Sequence, residues 1–128
     1  MKRNLIIALS GLVIIIIFGI FTENYLKKSA VEITNIIDSL EKSVIEIEID
    51  KAKDFLDSLN KKWEKTKDIW AMLIDHEEMD NVEETIQYIE IFIDETDRQA
   101  DLLAEINKLR FYIEHIPEKE SFLIKNIF

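Results

Sequence analysis

Apolar residues follow two different patterns along this chain. Leu5 to Phe21 form an unbroken run of 17 residues with no charge, seven isoleucines and only Ser10 polar. At a helical rise of about 1.5 Å per residue the run covers about 26 Å, close to the roughly 30 Å hydrocarbon core of a bilayer. Asn4, Thr22 and local thinning of the bilayer cover the shortfall. Past this run the apolar positions become periodic. Ile33, Ile37, Leu40, Val44 and Ile47 are separated alternately by four and three residues. The same alternation links Ala52, Leu56, Leu59, Trp63, Thr66, Trp70 and Leu73. It returns in Val82, Ile86, Ile89 and Ile93, and again in Leu102, Ile106, Leu109, Ile113 and Ile116. Each series is one stripe of an amphipathic helix.

Slips of phase between the stripes mark the turns, and start signals accompany them. Ser29 with Glu32, Asp75 with Glu78 and Asn81 with Glu84 have capping-box spacing. Asp50 is a candidate cap for the second helix, and Thr96 or Asp97 for the fourth; Pro117 is expected to stop the fourth. Val44 to Ile49 alternates like a strand, but no partner strand is visible, so it reads as the first helix turning into the second. Both glycines, Gly11 and Gly19, lie in the apolar run. Hairpin turns favour glycine, so a sheet-rich domain is hard to build from the remainder. The expected fold is all-α: an N-terminal transmembrane helix followed by an antiparallel bundle of about four helices, near residues 24–47, 51–74, 81–95 and 98–116. The tail, with Phe122, Leu123, Ile124, Ile127 and Phe128, is too short to span a membrane and is expected to pack on the bundle or on a partner.

A cleaved signal peptide is the competing reading of the first 23 residues. The run exceeds the usual h-region, and no small-residue cleavage site follows it. An uncleaved signal anchor over 1–23, carrying a soluble domain over 24–128, is therefore expected. Lys2 and Arg3 precede the run and Lys27 and Lys28 follow it, so the positive-inside rule is nearly balanced. The terminal amine and the lack of acidic residues before the run favour an N-terminus inside and a domain outside the cytoplasm. With no cysteine, disulfides and lipoprotein attachment are excluded.

Charge narrows the partners. The chain carries −10; residues 1–21 contribute +2, so residues 22–128 carry −12. Such a domain repels nucleic acid, whose binding needs cations to neutralise phosphates, and it repels anionic lipid headgroups.

Candidate chemistry is sparse. Asp75-His76-Glu77-Glu78-Met79-Asp80 gathers one imidazole and four carboxylates at a helix boundary, and His115 ends the fourth stripe. In an up-down-up-down bundle the second and fourth helices end on the same side, so His76 and His115 form an alternative divalent-metal pair. The simpler account is electrostatic: acidic groups complement a helix N-terminus and a histidine a C-terminus. The E-x-x-H pattern of di-iron bundles is absent, and Asp80 stands where H-E-x-x-H needs its second histidine. Trp63 and Trp70 lie seven residues apart on one face. Core packing explains them, with an aromatic patch for a partner helix as the functional alternative. No triad or phosphate-cradling loop is present, so neither an enzyme nor a cofactor is expected.

Trp63 with Trp70, the stretch Leu73 to Asp80, and the close Lys125-Asn126-Ile127-Phe128 together resemble a family of small single-pass membrane proteins of unknown function from spore-forming Gram-positive bacteria. The resemblance implies no activity. Members are often encoded beside a small multi-pass membrane protein, which implies a membrane partner. The expected function is a non-enzymatic, membrane-anchored bundle that binds another membrane or envelope protein. The candidate surface is His76, Glu77, Glu78 and Asp80 with Trp63 and Trp70, together with the apolar tail. An extracytoplasmic cation-binding or sensory module is the alternative, and self-association stays open.

Overall fold

A computed structural model describes the backbone of residues 1–127 and the side chains of residues 1–119. The helices are α1 (Lys2–Ile45), α2 (Ile49–Leu73), α3 (His76–Phe92) and α4 (Gln99–Ile127). The described residues contain no strand. α1 packs against α2 and α4, α3 packs against α4 and more loosely against α2, and among the described residues the diagonal backbones do not approach one another. Cross-helix bonds fix the antiparallel order: Arg110 to Asp38 and Glu41, Trp70 to Ser29, Asn60 to Glu90, and Lys119 to Glu78.

α1 is one continuous helix with two surroundings. Residues 2–21 carry every apolar side chain exposed and project beyond the bundle. This stretch is long and apolar enough to cross a membrane. From Thr22 onward burial follows the periodic stripe, with Leu26, Ala30, Ile33, Ile37, Leu40 and Val44 in the core. The stripes of α2, α3 and α4 complete that core, as their spacing predicts. Buried hydroxyls do not disturb it, because Ser43, Thr66 and Thr85 each donate to a carbonyl one turn back in their own helix. Arg110 ties α4 to α1 through Asp38 at 3.1 Å and Glu41 at 3.0 Å. Burial works to lower its pKa, but the bonds and charges of Glu41 and Asp38 outweigh it and hold the guanidinium above its ordinary value.

Several boundaries differ from the sequence expectation. α3 begins at His76, not near residue 81. Met79 is buried one turn before Val82, so the apolar stripe itself extends the helix backward. Asp75 takes the extended N-cap conformation and its carbonyl accepts from the Met79 amide at 3.1 Å, whereas Asn81 lies within the helix. Ser29 is likewise interior to α1 and caps nothing. Nor does Pro117 stop α4, which continues to Ile127. The ring lacks an amide to donate to the Ile113 carbonyl, but it is buried and lines a groove against Ala30 and Val31 of α1. Packing on α1 favours the helical path over the break. The expected packing of the tail's apolar side chains lies outside the described residues.

Candidate functional site

The two tryptophans are core residues. Trp70 is fully buried and Trp63 nearly so, with ring centroids 5.6 Å apart in an edge-to-face arrangement at 75°. The Trp70 indole N–H donates to Ser29 Oγ at 2.9 Å. That hydroxyl donates in turn to the Tyr25 carbonyl at 2.7 Å, with the Leu26 carbonyl at 3.1 Å. The Trp63 Nε1 has no partner among the described residues. Burial removes both indoles from the surface, so the exposed aromatic patch weighed as an alternative does not form.

The acidic stretch at the start of α3 divides. His76, Glu77 and Asp80 face solvent, while Glu78 is half-buried. One Glu78 oxygen accepts from Lys119 Nζ at 3.0 Å, and the other is buried without a partner among the described residues. Glu78 and Lys119 share a cleft of about 520 Å³ with Asn81, Phe111, Tyr112 and His115. The His115 ring stacks on exposed Phe111 at 4.0 Å and 24°. Of the two histidines, only His115 lines this cleft. Among the described residues no three histidine, aspartate or glutamate side chains are grouped to hold a metal ion. The contacts instead make this a cleft with an aromatic wall and one ion pair across its floor.

The opposite end, at the α1–α2 and α3–α4 turns, holds a feature the periodicity did not reveal. Ile47 continues the α1 stripe by spacing, yet it is 73% exposed. Its φ is +58°, among the described residues the one non-glycine value in the left-handed region. The backbone there forms a Schellman motif. The Glu48 amide donates to the Ser43 carbonyl at 2.9 Å and the Ile47 amide to the Val44 carbonyl at 3.1 Å. That motif places its C′ residue at positive φ, a position usually filled by glycine. Beneath it a cleft of about 240 Å³ opens between the two turns, lined by Val44, Ile47, Ile49, Ile93 and Leu102 on its apolar side. The alternation from Val44 to Ile49 was the sequence signal of this site.

Compared with known protein families, the sequence matches Domain of unknown function (DUF4363) over residues 20–127. The chain belongs to the DUF4363 family. The family carries no assigned activity, in agreement with the uncharacterised family expected from the sequence. The match begins where periodic burial begins, so the DUF4363 domain coincides with the bundle, and the apolar run lies almost wholly before it. No curated protein and no solved structure matches the sequence.

Proposed function

We propose that this protein is a non-enzymatic, membrane-anchored docking module, with residues 5–21 in the cell membrane and the DUF4363 bundle outside the cytoplasm, where it binds another membrane or envelope protein. The observation that carries the reading is the continuity of α1. One helix joins residues 2–21, apolar from Leu5 onward apart from Ser10 and with every apolar side chain exposed, to a packed bundle without a break. Thirteen large apolar side chains between Leu5 and Phe21, exposed to water on a single helix, would be costly, and lipid removes that cost. An unbroken helix also holds the bundle at a fixed height above the bilayer, as a docking module requires. The non-enzymatic part is supported by the buried hydroxyls, Thr22, Ser29, Ser43, Thr66 and Thr85, which all donate to carbonyls of their own helices.

The test is extraction of membranes with alkaline carbonate, followed by N-terminal sequencing and by protease treatment of intact cells. The protein is expected to stay in the membrane pellet, keep its N-terminus and lose its bundle to external protease. A soluble product starting near Thr22 would overturn the anchor, and a protected bundle would reverse the orientation.

A further inference from the structure

We infer that the far end of the bundle, the tip formed by the α1–α2 and α3–α4 turns, is the docking surface, and that it takes a basic protein segment whose apolar anchor side chain enters the cleft beside Ile47. The inference rests on the docking reading above and adds where the partner binds and what chemistry it presents.

Ile47 is the starting point. A β-branched side chain in the left-handed region crowds the following carbonyl, and glycine there would satisfy the same Schellman bonds without strain. The hydrophobic contact that often accompanies this motif joins C″ to C3, here Glu48 and Ser43, and so does not involve Ile47. Most of the Ile47 side chain faces solvent, and so does most of Ile45 two residues before it. Neither the local backbone nor the core therefore explains an isoleucine at this position. An intermolecular contact does. The cleft under it has room for one large aliphatic or aromatic side chain, and its inner wall is Val44, Ile93 and Leu102. Hot spots of interfaces are apolar anchors seated in such pockets and ringed by polar groups.

The rim sets the partner's charge. Glu46, Glu48, Asp50, Asp94, Glu95 and Asp97 all lie on the two turns or next to them. Lys51 is paired with Glu48 at 3.2 Å, Lys53 with Asp94 at 3.0 Å, and Arg98 with Glu95 at 3.5 Å. Glu46, Asp50 and Asp97 form no ion pair with any described residue. A partner must therefore bring lysine or arginine on both sides of its anchor, which also steers encounter with an acidic tip. A second copy of this chain would set one acidic rim against another.

The experiment uses the full chain in native membranes, with photoreactive benzoylphenylalanine in place of Ile45 and, in separate strains, in place of Met72 or Phe111 near the other end. The Ile45 position is expected to give one discrete adduct. Its cross-linked peptide should carry an apolar residue flanked by Lys or Arg. The adduct should fall about tenfold or more with Ile47→Gly and with the charge reversals Glu46→Lys and Asp97→Lys. Ile47→Gly in the full-length protein should melt no lower than the wild type, since it removes strain and not packing. A lower melting temperature would make Ile47 a structural residue and overturn the inference. So would an adduct with a second copy, or with a segment lacking basic flanks. Adducts from Met72 or Phe111 alone would move docking to the near end and leave the docking reading intact. Adducts from none of the three would overturn both.

Discussion

The end of the bundle next to the apolar segment and the end furthest from it treat demanding residues in opposite ways. At the near end the largest polar aromatic is satisfied: Trp70 is fully buried and its N–H is met by Ser29 across the helix pair. Glu78, half-buried, is met by Lys119 on one oxygen, the other staying buried without a partner among the described residues. At the far end an isoleucine takes a backbone conformation suited to glycine and exposes most of its surface. The near end differs in its backbone: none of its described non-glycine residues takes positive φ. The far end holds strain and exposed apolar area that folding leaves unexplained, and residues in that position are where binding is to be sought.

The sharpest way to break the contrast is Trp70→Ala. Removing a fully buried indole from the core should destabilise by about 3–5 kcal/mol. Thermal melting of the full chain in detergent checks this, and a loss below about 1 kcal/mol would mean that the near end is not the well-packed region described. Ser29→Ala isolates the polar part. It strands the Trp70 N–H in the core, at about 1–3 kcal/mol for an unsatisfied buried donor. Ser29→Ala should cost less in a Trp70→Phe background than in the wild type, because the phenyl ring has no N–H to strand. An equal cost of Ser29→Ala in the two backgrounds would deny the bond its role. The far end should respond with the opposite sign. Ile47→Gly relieves about 1–2 kcal/mol of left-handed strain and adds about 0.5–1 kcal/mol of unfolded-state entropy. A net gain between about zero and about 1.5 kcal/mol is expected.

These opposite signs bear on how much was legible in the sequence. The apolar run, the four stripes and the tryptophans at i and i+7 were legible because burial in a helix repeats with the helix itself. The starts and stops were not. Asp75–Glu78 and Asn81–Glu84 have the same spacing, and only the burial of Met79 decides for the first. Pro117 carries a local stop signal, yet it is buried and lines one groove with Ala30 and Val31, residues 87 and 86 positions earlier. Tertiary contact overrode local chemistry in both places. At the candidate site, Glu78, His115 and Lys119 come together only because α3 and α4 are antiparallel, while His76, adjacent in sequence to the cluster, turns to solvent. Ile47 was the hardest, because its spacing placed it in the core and its residue type argues against positive φ. The alternation of Val44 to Ile49 was visible and reads as a turn, but spacing does not show which residue of that turn takes positive φ and is left exposed.

The smallest expected effect tests the middle of the bundle, between the two ends. Lys62 of α2 forms an ion pair with Glu32 of α1. The Lys62 hydrogen bond lowers the pKa of the Glu32 carboxyl from its ordinary 4.5; partial desolvation opposes this, and the charges of Lys62 and Lys28 reinforce it. A carboxyl whose pKa is lower in the folded than in the unfolded chain binds fewer protons when folded. Its contribution to stability is therefore fully present above 4.5 and is lost as pH falls through the folded value. Glu32→Gln mimics the protonated state, so it should melt slightly below the wild type at neutral pH, and the gap should close in acid. The pair is exposed and screened by salt, so the gap should also shrink with added salt. Melting both proteins across an acid titration at two salt concentrations gives the answer. A gap that persists unchanged below the folded pKa would mean that Glu32 acts through packing of its stem and not through its charge. A gap that closes would leave the two ends, with their opposite signs, as the places where single residues weigh most.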